Sequence, residues 1–482
     1  MIIQGLETSA WRIAWTVIAI FVVSIVTRSV YRLYFHPLSK FPGPKLTAIT
    51  HLYEFYFDCI QGGQFIWEIV RMHEQYGPIV RINPREIHIM DPHFFHQIYH
   101  TGVQNRDQYM VNISTAPQST FSTAEYGPHK SRRGILNPFF SRQSVFKLED
   151  IVHEKVAKVT RRLENAHRDN SAVFSLDILD DKDLRNPLRE ALTGGVSLCH
   201  LLRFFPILVK LLDPIPSVVQ WLSPITKGLF DMKRDVELQS REAIERSIHS
   251  DTSGPARTIY EAMTDKSVPA AERTVERLRD DGLIMLAAGT ETTARVLTMG
   301  AFYIYRDEVI LRSLREELIG AMPTIDAKLS WTQLEKLPYL ESLRLSGSIT
   351  IRQPRIFPTK ALAYKSYTIP PGTPVSQSIH LVHMNPTVFP NPEVFDPTRW
   401  LQSPEDGVRL DRLLVSFSGG SMNCLGLNLA YCELYHMFAK LVRHFDLRHL
   451  TEPEDIKITR DFIVGLPDAD ELKVQSYVSN AL

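Results

Sequence analysis

The sequence predicts a mainly α fold with small β-sheets, and three observations predict it. Apolar residues recur at helical spacing through most of the chain, over 144–167, 187–211, 228–248, 271–304, 306–321 and 427–445. Strand signals gather in only two places, 78–91 and 351–378. No Gly-rich dinucleotide fingerprint follows a strand and no phosphate-cradling loop ending in Gly-Lys-Ser/Thr occurs, which sets aside nicotinamide, flavin and nucleotide sites of those types. No Ser/Gly-rich linker, charge block or repeat divides the 482 residues, and 44% hydrophobic content suffices for one large core. A formal charge of zero offers nothing to nucleic acid.

Taken in order, the first element is membrane-like. Residues 13–27, IAWTVIAIFVVSIVT, are 15 residues without charge, slightly short for a span but extended by Trp11, Trp15 and a snorkelling Arg12. Glu7 precedes this run, whereas Arg28, Arg32, Lys40 and Lys45 follow it. Positive charge after the span predicts a single-pass anchor over 1–28 with the bulk of the chain cytosolic, and the flank charge argues against a cleaved signal peptide. The stretch FHPLSKFPGPKL (35–46) predicts a stiff proline-rich hinge within 29–50, which leaves 51–482 for the main domain. The four cysteines form no CxxC pair and no disulfide framework, as suits a reducing compartment.

A helix over 64–76 stops at Gly77-Pro78, and 78–91 then alternates about Asn83-Pro84 as a β-hairpin. In HFFHQIYH, His93, His96 and His100 share one helical face, but Phe94, Phe95 and Ile98 supply a buried stripe opposite. A solvated histidine face is the expectation there, not a metal site.

Chemistry concentrates near the C-terminus. In FSGGSMNCLGLNLA (417–430), Cys424 lies among Gly419, Gly420 and Gly426, just before an apolar helix. Backbone N–H groups and a helix N-terminus stabilise a thiolate, glycines let a large flat group approach, and Phe417 can shield the sulfur. A single thiolate so placed suits one axial bond to haem iron. In LIMLAAGTETTARVLTMG (283–300), Gly289 costs a helix about 1 kcal/mol relative to alanine, which points to a close approach beside it. Glu291 and Thr292 follow, and beside a haem they read as a proton relay. The bland alternative has Thr292 bonding back to its own helix and Glu291 reaching water. Glu341 and Arg344 stand three apart and can pair on a helix, ahead of a proline-rich loop carrying Arg399.

With AGTETT (288–293), ESLR (341–344), FDPTRW (395–400) and FSGGSMNCLG (417–426) in this order, the sequence resembles the cytochrome P450 family over essentially its whole length. The likeness is to fungal secondary-metabolism members of the trichodiene-oxygenase-like type. The resemblance implies the cytochrome P450 fold, a single haem domain on an N-terminal membrane anchor, with haem b (iron protoporphyrin IX) as cofactor. It makes Cys424 the axial ligand of the iron, with Phe417, Gly420 and Gly426 shaping its loop, Ala288 and Gly289 an oxygen-side groove, and Glu291 and Thr292 the acid–alcohol pair. It also makes Glu341, Arg344 and Arg399 a structural triad. His129 and Arg133 of HKSRR (129–133), with Arg352 of TIRQPR (350–355), become propionate partners.

The activity so implied is a monooxygenase. It would insert one atom of O2 into a small apolar substrate, a terpenoid or polyketide intermediate, using electrons from NADPH-cytochrome P450 reductase at the endoplasmic reticulum membrane. On the same analogy, 105–122 and 346–351 line the pocket. Three departures keep other outcomes open. Met422 stands where the family carries a cation toward a propionate, Pro338 shortens the helix before Glu341, and a helix is trimmed within 179–190. A haem-thiolate isomerase or dehydratase needing no reductase, or a haem-poor, catalytically impaired relative, are the alternatives.

Overall fold

The computed structural model describes residues 2–169, 173–174, 198–212, 215–222, 226–249, 258–324, 327–337, 349–401, 410–468 and 474–481. Glu341, Arg344, Pro338, the segment 179–190 and the first half of 346–351 lie outside the described residues.

Helix α1 (Ile2–Val30) runs on through a π-turn at Tyr31–Phe35. From Trp11 to Phe35 it is one largely apolar helix of 25 residues, with none of its most apolar stretch buried. At 1.5 Å per residue that is about 37 Å, enough to cross a bilayer's hydrocarbon core. The span is therefore longer than the charge-free run suggested and continues past residue 28 into the expected hinge. Apolar Leu33, Tyr34 and Phe35 sustain it until His36, extended ahead of Pro37, ends it. Arg32 donates to the carbonyl of Ile49 and Arg81 to that of Arg32 (2.9 Å), tying the base of the helix to the domain.

Helix α2 (Phe65–Tyr76) ends at Gly77, whose φ of 90° only glycine adopts freely. The hairpin β1 (Ile79–Arg81) and β2 (Ile87–Ile89) pairs Ile79 with Ile89. After α3 (Phe95–Tyr99) comes β3 (Asn105–Arg106), then α4 (Tyr126–Leu136) and α5 (Arg142–Arg168). His93, His96 and His100 are exposed, as expected of a solvated face. The chain continues through β4 (Val173–Phe174), α6 (Cys199–Phe204), α7 (Lys227–His249) and the 32-residue α8 (Val275–Arg306). Asp307 caps α9 (Glu308–Ala321) by accepting from the N–H groups of Val309 and Ile310. Then follow α10 (Trp331–Leu334), β5 (Arg355–Ile356), β6 (Pro374–Ser376), α11 (Leu427–His444), β7 (Phe445–His449) and β8 (Gln475–Ala481).

One sheet has strand order β1-β2-β6-β5-β3, with β2 and β6 parallel and the other pairs antiparallel. Its core includes Ile79, Ile87, Ile89, Phe95, Ile98 and Val375. A smaller sheet, β4-β8-β7, lies on the helical side. The larger core joins Val145, Val156 and Leu163 of α5, Leu297 and Ile304 of α8, Leu314 and Leu318 of α9, and Phe438 and Val442 of α11.

Helices α8 and α11 pack tightly at Gly300, where a Cβ would stand 2.3 Å from the ring of Phe438. Gly289 and Leu427 each lie 11 residues before that crossing, about 16 Å along their helices. Towards those ends Met285 and Leu425 share one cluster with Leu136 of α4 and Leu278 of α8, so the Cys424 loop, α4 and α8 converge there. The site forms where they converge.

Candidate active site

Cys424 precedes α11 by three residues, and its N–H donates to the carbonyl of Phe417 (2.9 Å), which closes the loop. The ring of Phe417 packs edge-on against Tyr431 of α11, 4.8 Å between centroids. Cys424 is exposed to solvent although protein crowds its thiol on most sides. Burial pushes its pKa up, opposed by the N–H of Gly426 and by Arg133. The helix end alone therefore does not hold a thiolate; a metal ion bound to the sulfur would, since a coordinated thiol loses its proton.

The loop glycines divide into two kinds. A Cβ on Gly426 would meet nothing within 4 Å, leaving open space beside the sulfur. Gly420, with φ of 68°, is required for another reason than the one expected: a Cβ there would lie 2.1 Å from the carbonyl oxygen of Tyr99. At Gly419 it would lie 2.0 Å from Nε2 of His100. These two glycines seat the loop on the end of α3.

On α8, Ala288 and Gly289 are exposed in mid-helix, and a Cβ on Gly289 would meet nothing within 4 Å. Thr292 Oγ1 donates to the carbonyl of Ala288 (2.7 Å), as the bland alternative had it. Glu291 is partly exposed and paired: its Oε1 accepts from Arg295 (2.9 Å), which also donates to the carbonyl of Gly465 (2.6 Å). Adjacent residues on a helix face different directions, and the two side chains are held separately. The 107–124 loop is clamped to the start of the same helix: the N–H of Gln118 donates to Asp280 (2.8 Å), and Thr120 Oγ1 to Asp281 (3.0 Å).

The cations at the edge of the site are not quite those expected. His129 and Arg133 stand one turn apart on α4, and Arg133 donates to the carbonyl (2.5 Å) and Oδ1 (2.7 Å) of Asn423, next to Cys424. Arg352 points elsewhere. Its Nε donates to Glu86 (2.9 Å) and its Nη2 to Glu54, in a buried network that also takes in Arg203. Burial would raise the Glu54 carboxyl, but Arg352 and Arg203 hold it well below the carboxylate range. Arg352 thus has its counter-charges already.

The sequence reading missed Arg355 and Arg106. They are cross-strand neighbours, directly opposite in the β3/β5 register. Like charges so placed repel. Among the described residues no carboxylate lies within salt-bridge reach of Arg106, Arg133 or Arg355. Burial, reinforced by Arg106, Arg133 and Arg355, drives the pKa of buried His129 down to about 3, and burial with Arg355 and Arg133 brings Arg106 to about 9. The Nε of Arg355 is buried without a partner. Such a cluster is arranged for an anion. The signal was in TIRQPR: residues three apart on a strand face opposite sides, so Arg352 and Arg355 cannot share a partner.

Arg399 donates to the carbonyls of Asp396 (3.1 Å), Pro390 (3.1 Å) and Val394 (3.0 Å), bracing its own loop. Its expected partners Glu341 and Arg344 are outside the described residues. Met422 is buried.

A family model described as Cytochrome P450 matches residues 198–474. The chain belongs to the cytochrome P450 family. It is similar to the conidiogenone synthase PchP450 of Penicillium rubens, 41% identical over 91% of this chain and 93% of that protein. It is also similar to the cytochrome P450 monooxygenase aflU of Aspergillus parasiticus, 38% identical over 95% and 96%. The cytochrome P450 monooxygenase TRI4 of Fusarium sporotrichioides is 37% identical over 93% and 91%. The protein is a P450 monooxygenase of the haem-thiolate class and of the fungal secondary-metabolism type, and the exposed apolar helix at its N-terminus fits a single-pass anchor.

P450 membership implies haem, and the site fits it on three counts. The exposed Cys424 supplies an axial sulfur donor, the open positions at Gly426 and Gly289 leave room for a flat ring, and the unpaired cations suit carboxylates at its edge.

Proposed function

We propose that this P450 oxygenates a small apolar secondary metabolite, a terpenoid or polyketide intermediate, at the endoplasmic reticulum membrane, with electrons from NADPH through a separate reductase. Cys424 holds the iron of haem b, and Arg106, His129, Arg133 and Arg355 receive its propionates. When bound, haem supplies the reduction of O2 by two electrons and two protons, one oxygen atom entering the substrate and the other leaving as water.

The chain's own residues do the rest. Gly289 keeps the α8 wall open, and Leu286 and Ala288 present apolar surface to the substrate. Thr292 passes a proton from its hydroxyl, which it now holds toward the Ala288 carbonyl, by turning into the cleft. Once it leaves Arg295, Glu291 takes up a proton from water and passes it on to restore the Thr292 hydroxyl. With Arg106 and Arg355 available, Met422 leaves no deficit of cations around the propionates.

The observation that carries this reading is the exposed Cys424 beside a carboxylate-free arginine cluster, where α8 and the Cys loop converge. The relatives support a secondary-metabolite substrate, one of them being named a conidiogenone synthase. The test is the purified full chain with a fungal reductase. A thiolate-type Soret band in the reduced, carbon-monoxide-bound state is expected, with product formation that needs both NADPH and O2. Turnover without reductase would establish an isomerase or dehydratase instead, and an absent Soret band would establish a haem-poor relative.

A further inference from the structure

A second cluster of metal-ligating side chains lies away from the cleft, between α5 and α11. Glu149 and His153 stand one turn apart on α5, and His436 faces them from α11. One ligand atom from each lies within 4.8 Å of the other two. The imidazoles of His153 and His436 are 4.3 Å apart between centroids, and Nε2 of His436 is 3.0 Å from Oε1 of Glu149. The site sits well up α11: His436 is nine residues beyond Leu427, about 14 Å along the axis, too far to reach the metal bound at Cys424.

We propose that Glu149, His153 and His436 form a binding site for a zinc-class divalent cation. Two imidazoles and one carboxylate are a donor set zinc takes readily, with a fourth position left to water. His153 and Glu149 are only half-buried, so water and ion can enter, whereas His436 is buried and gives the site a fixed floor. The ligands come from two helices already packed into one core, so little backbone movement is needed.

Glu149 Oε1 is occupied, accepting from His436 and from the N–H of Trp331 at the start of α10, which leaves Oε2 for the ion. Binding replaces the His436–Glu149 hydrogen bond, the ring proton moving to Nδ1. Burial lowers the pKa of both imidazoles, which favours the form with a free lone pair. Among the charges facing His153, Glu149 and Asp150 favour a cation and Lys328 and Lys440 oppose it. An ion there would staple α5 to the helix that carries the Cys424 loop.

The experiment uses the haem-loaded full chain in detergent, stripped with a chelator and titrated with zinc ion alone. Bound metal is counted by mass spectrometry after gel filtration, and affinity is measured calorimetrically. One zinc per chain is expected, and an exposed-histidine control, His96→Gln, should bind like the wild type. His153→Gln should weaken that equivalent at least about tenfold while leaving the Soret band unchanged. Glu149→Gln, which keeps an acceptor for Trp331, should do the same and guards against misfolding of the first variant. Zinc retained equally by both variants, or lost in His96→Gln, or not retained by the wild type, overturns the proposal.

Discussion

Arg352 and Arg355, three residues apart, are in opposite electrostatic situations. Arg352 neutralises Glu54 and Glu86 inside the protein. Replacing it by alanine takes from buried Glu86 its cation and leaves Glu54 with Arg203, and Arg352→Ala should cost about 3–5 kcal/mol of stability, read as a lowered denaturation midpoint. Arg355 faces another arginine and no carboxylate within salt-bridge reach among the described residues. Arg355→Ala relieves a repulsion, so the fold should be no less stable. Haem should nevertheless escape to apomyoglobin at least about tenfold faster, because a charge-assisted bond to a propionate is lost. If the two variants exchanged phenotypes, the assignment of the propionate site would fail.

Two glycines give α8 its working shape, and they do so for different reasons. Gly300 is where Phe438 of α11 presses against the helix backbone, and a methyl group there has no room. Gly300→Ala should destabilise by about 1–3 kcal/mol through overpacking. Gly289 has open space beside it. Gly289→Ala should leave stability unchanged or raise it by up to about 1 kcal/mol, the helix preference for alanine, while narrowing the cleft and lowering turnover. Thermal melts and product assays on the pair would separate packing from function on one element. Equal loss of stability in both variants would mean that the cleft at Gly289 is not open.

Across the whole molecule, histidines kept neutral by burial set an acid limit. Burial lowers His73 to about 4, His380 to about 4 and His383 to about 3, and burial with the three arginines lowers His129 to about 3. An unfolded chain protonates its histidines near 6.5. As pH falls below that, the unfolded state binds protons the folded state refuses. The contribution of these four is thus complete above about pH 6.5 and lost towards pH 3, at up to about 1.4 kcal/mol per pH unit for each. Denaturation midpoints should fall steeply as pH drops from about 6.5 towards 4, less so in His73→Gln. A flat profile over that range would refute it.

Local patterning made much of this legible beforehand. Helix α2, the 78–91 hairpin, α5, α7, α8, α9 and α11 follow from apolar spacing and punctuation such as Gly77-Pro78, because each depends on residues within a few turns. The solvated face of His93, His96 and His100 was legible for the same reason. Cys424 with its glycines and the 288–293 stretch announced themselves as short-range constellations, and together with ESLR (341–344) and FDPTRW (395–400), in that order, they indicated the P450 family.

What the sequence could not decide depended on partners far away in the chain. Strand alternation shows that Arg352 and Arg355 face opposite ways but not which side is which. That was settled by Glu86 and Glu54, 266 and 298 residues from Arg352, and by β3 bringing Arg106 opposite Arg355. Gly420 likewise owes its place to Tyr99, and Glu149, His153 and His436 meet only because α5 packs on α11. Near-neighbour chemistry is written in the order of residues; the balance of buried charge and the close approach of distant backbones exist only once the chain has packed.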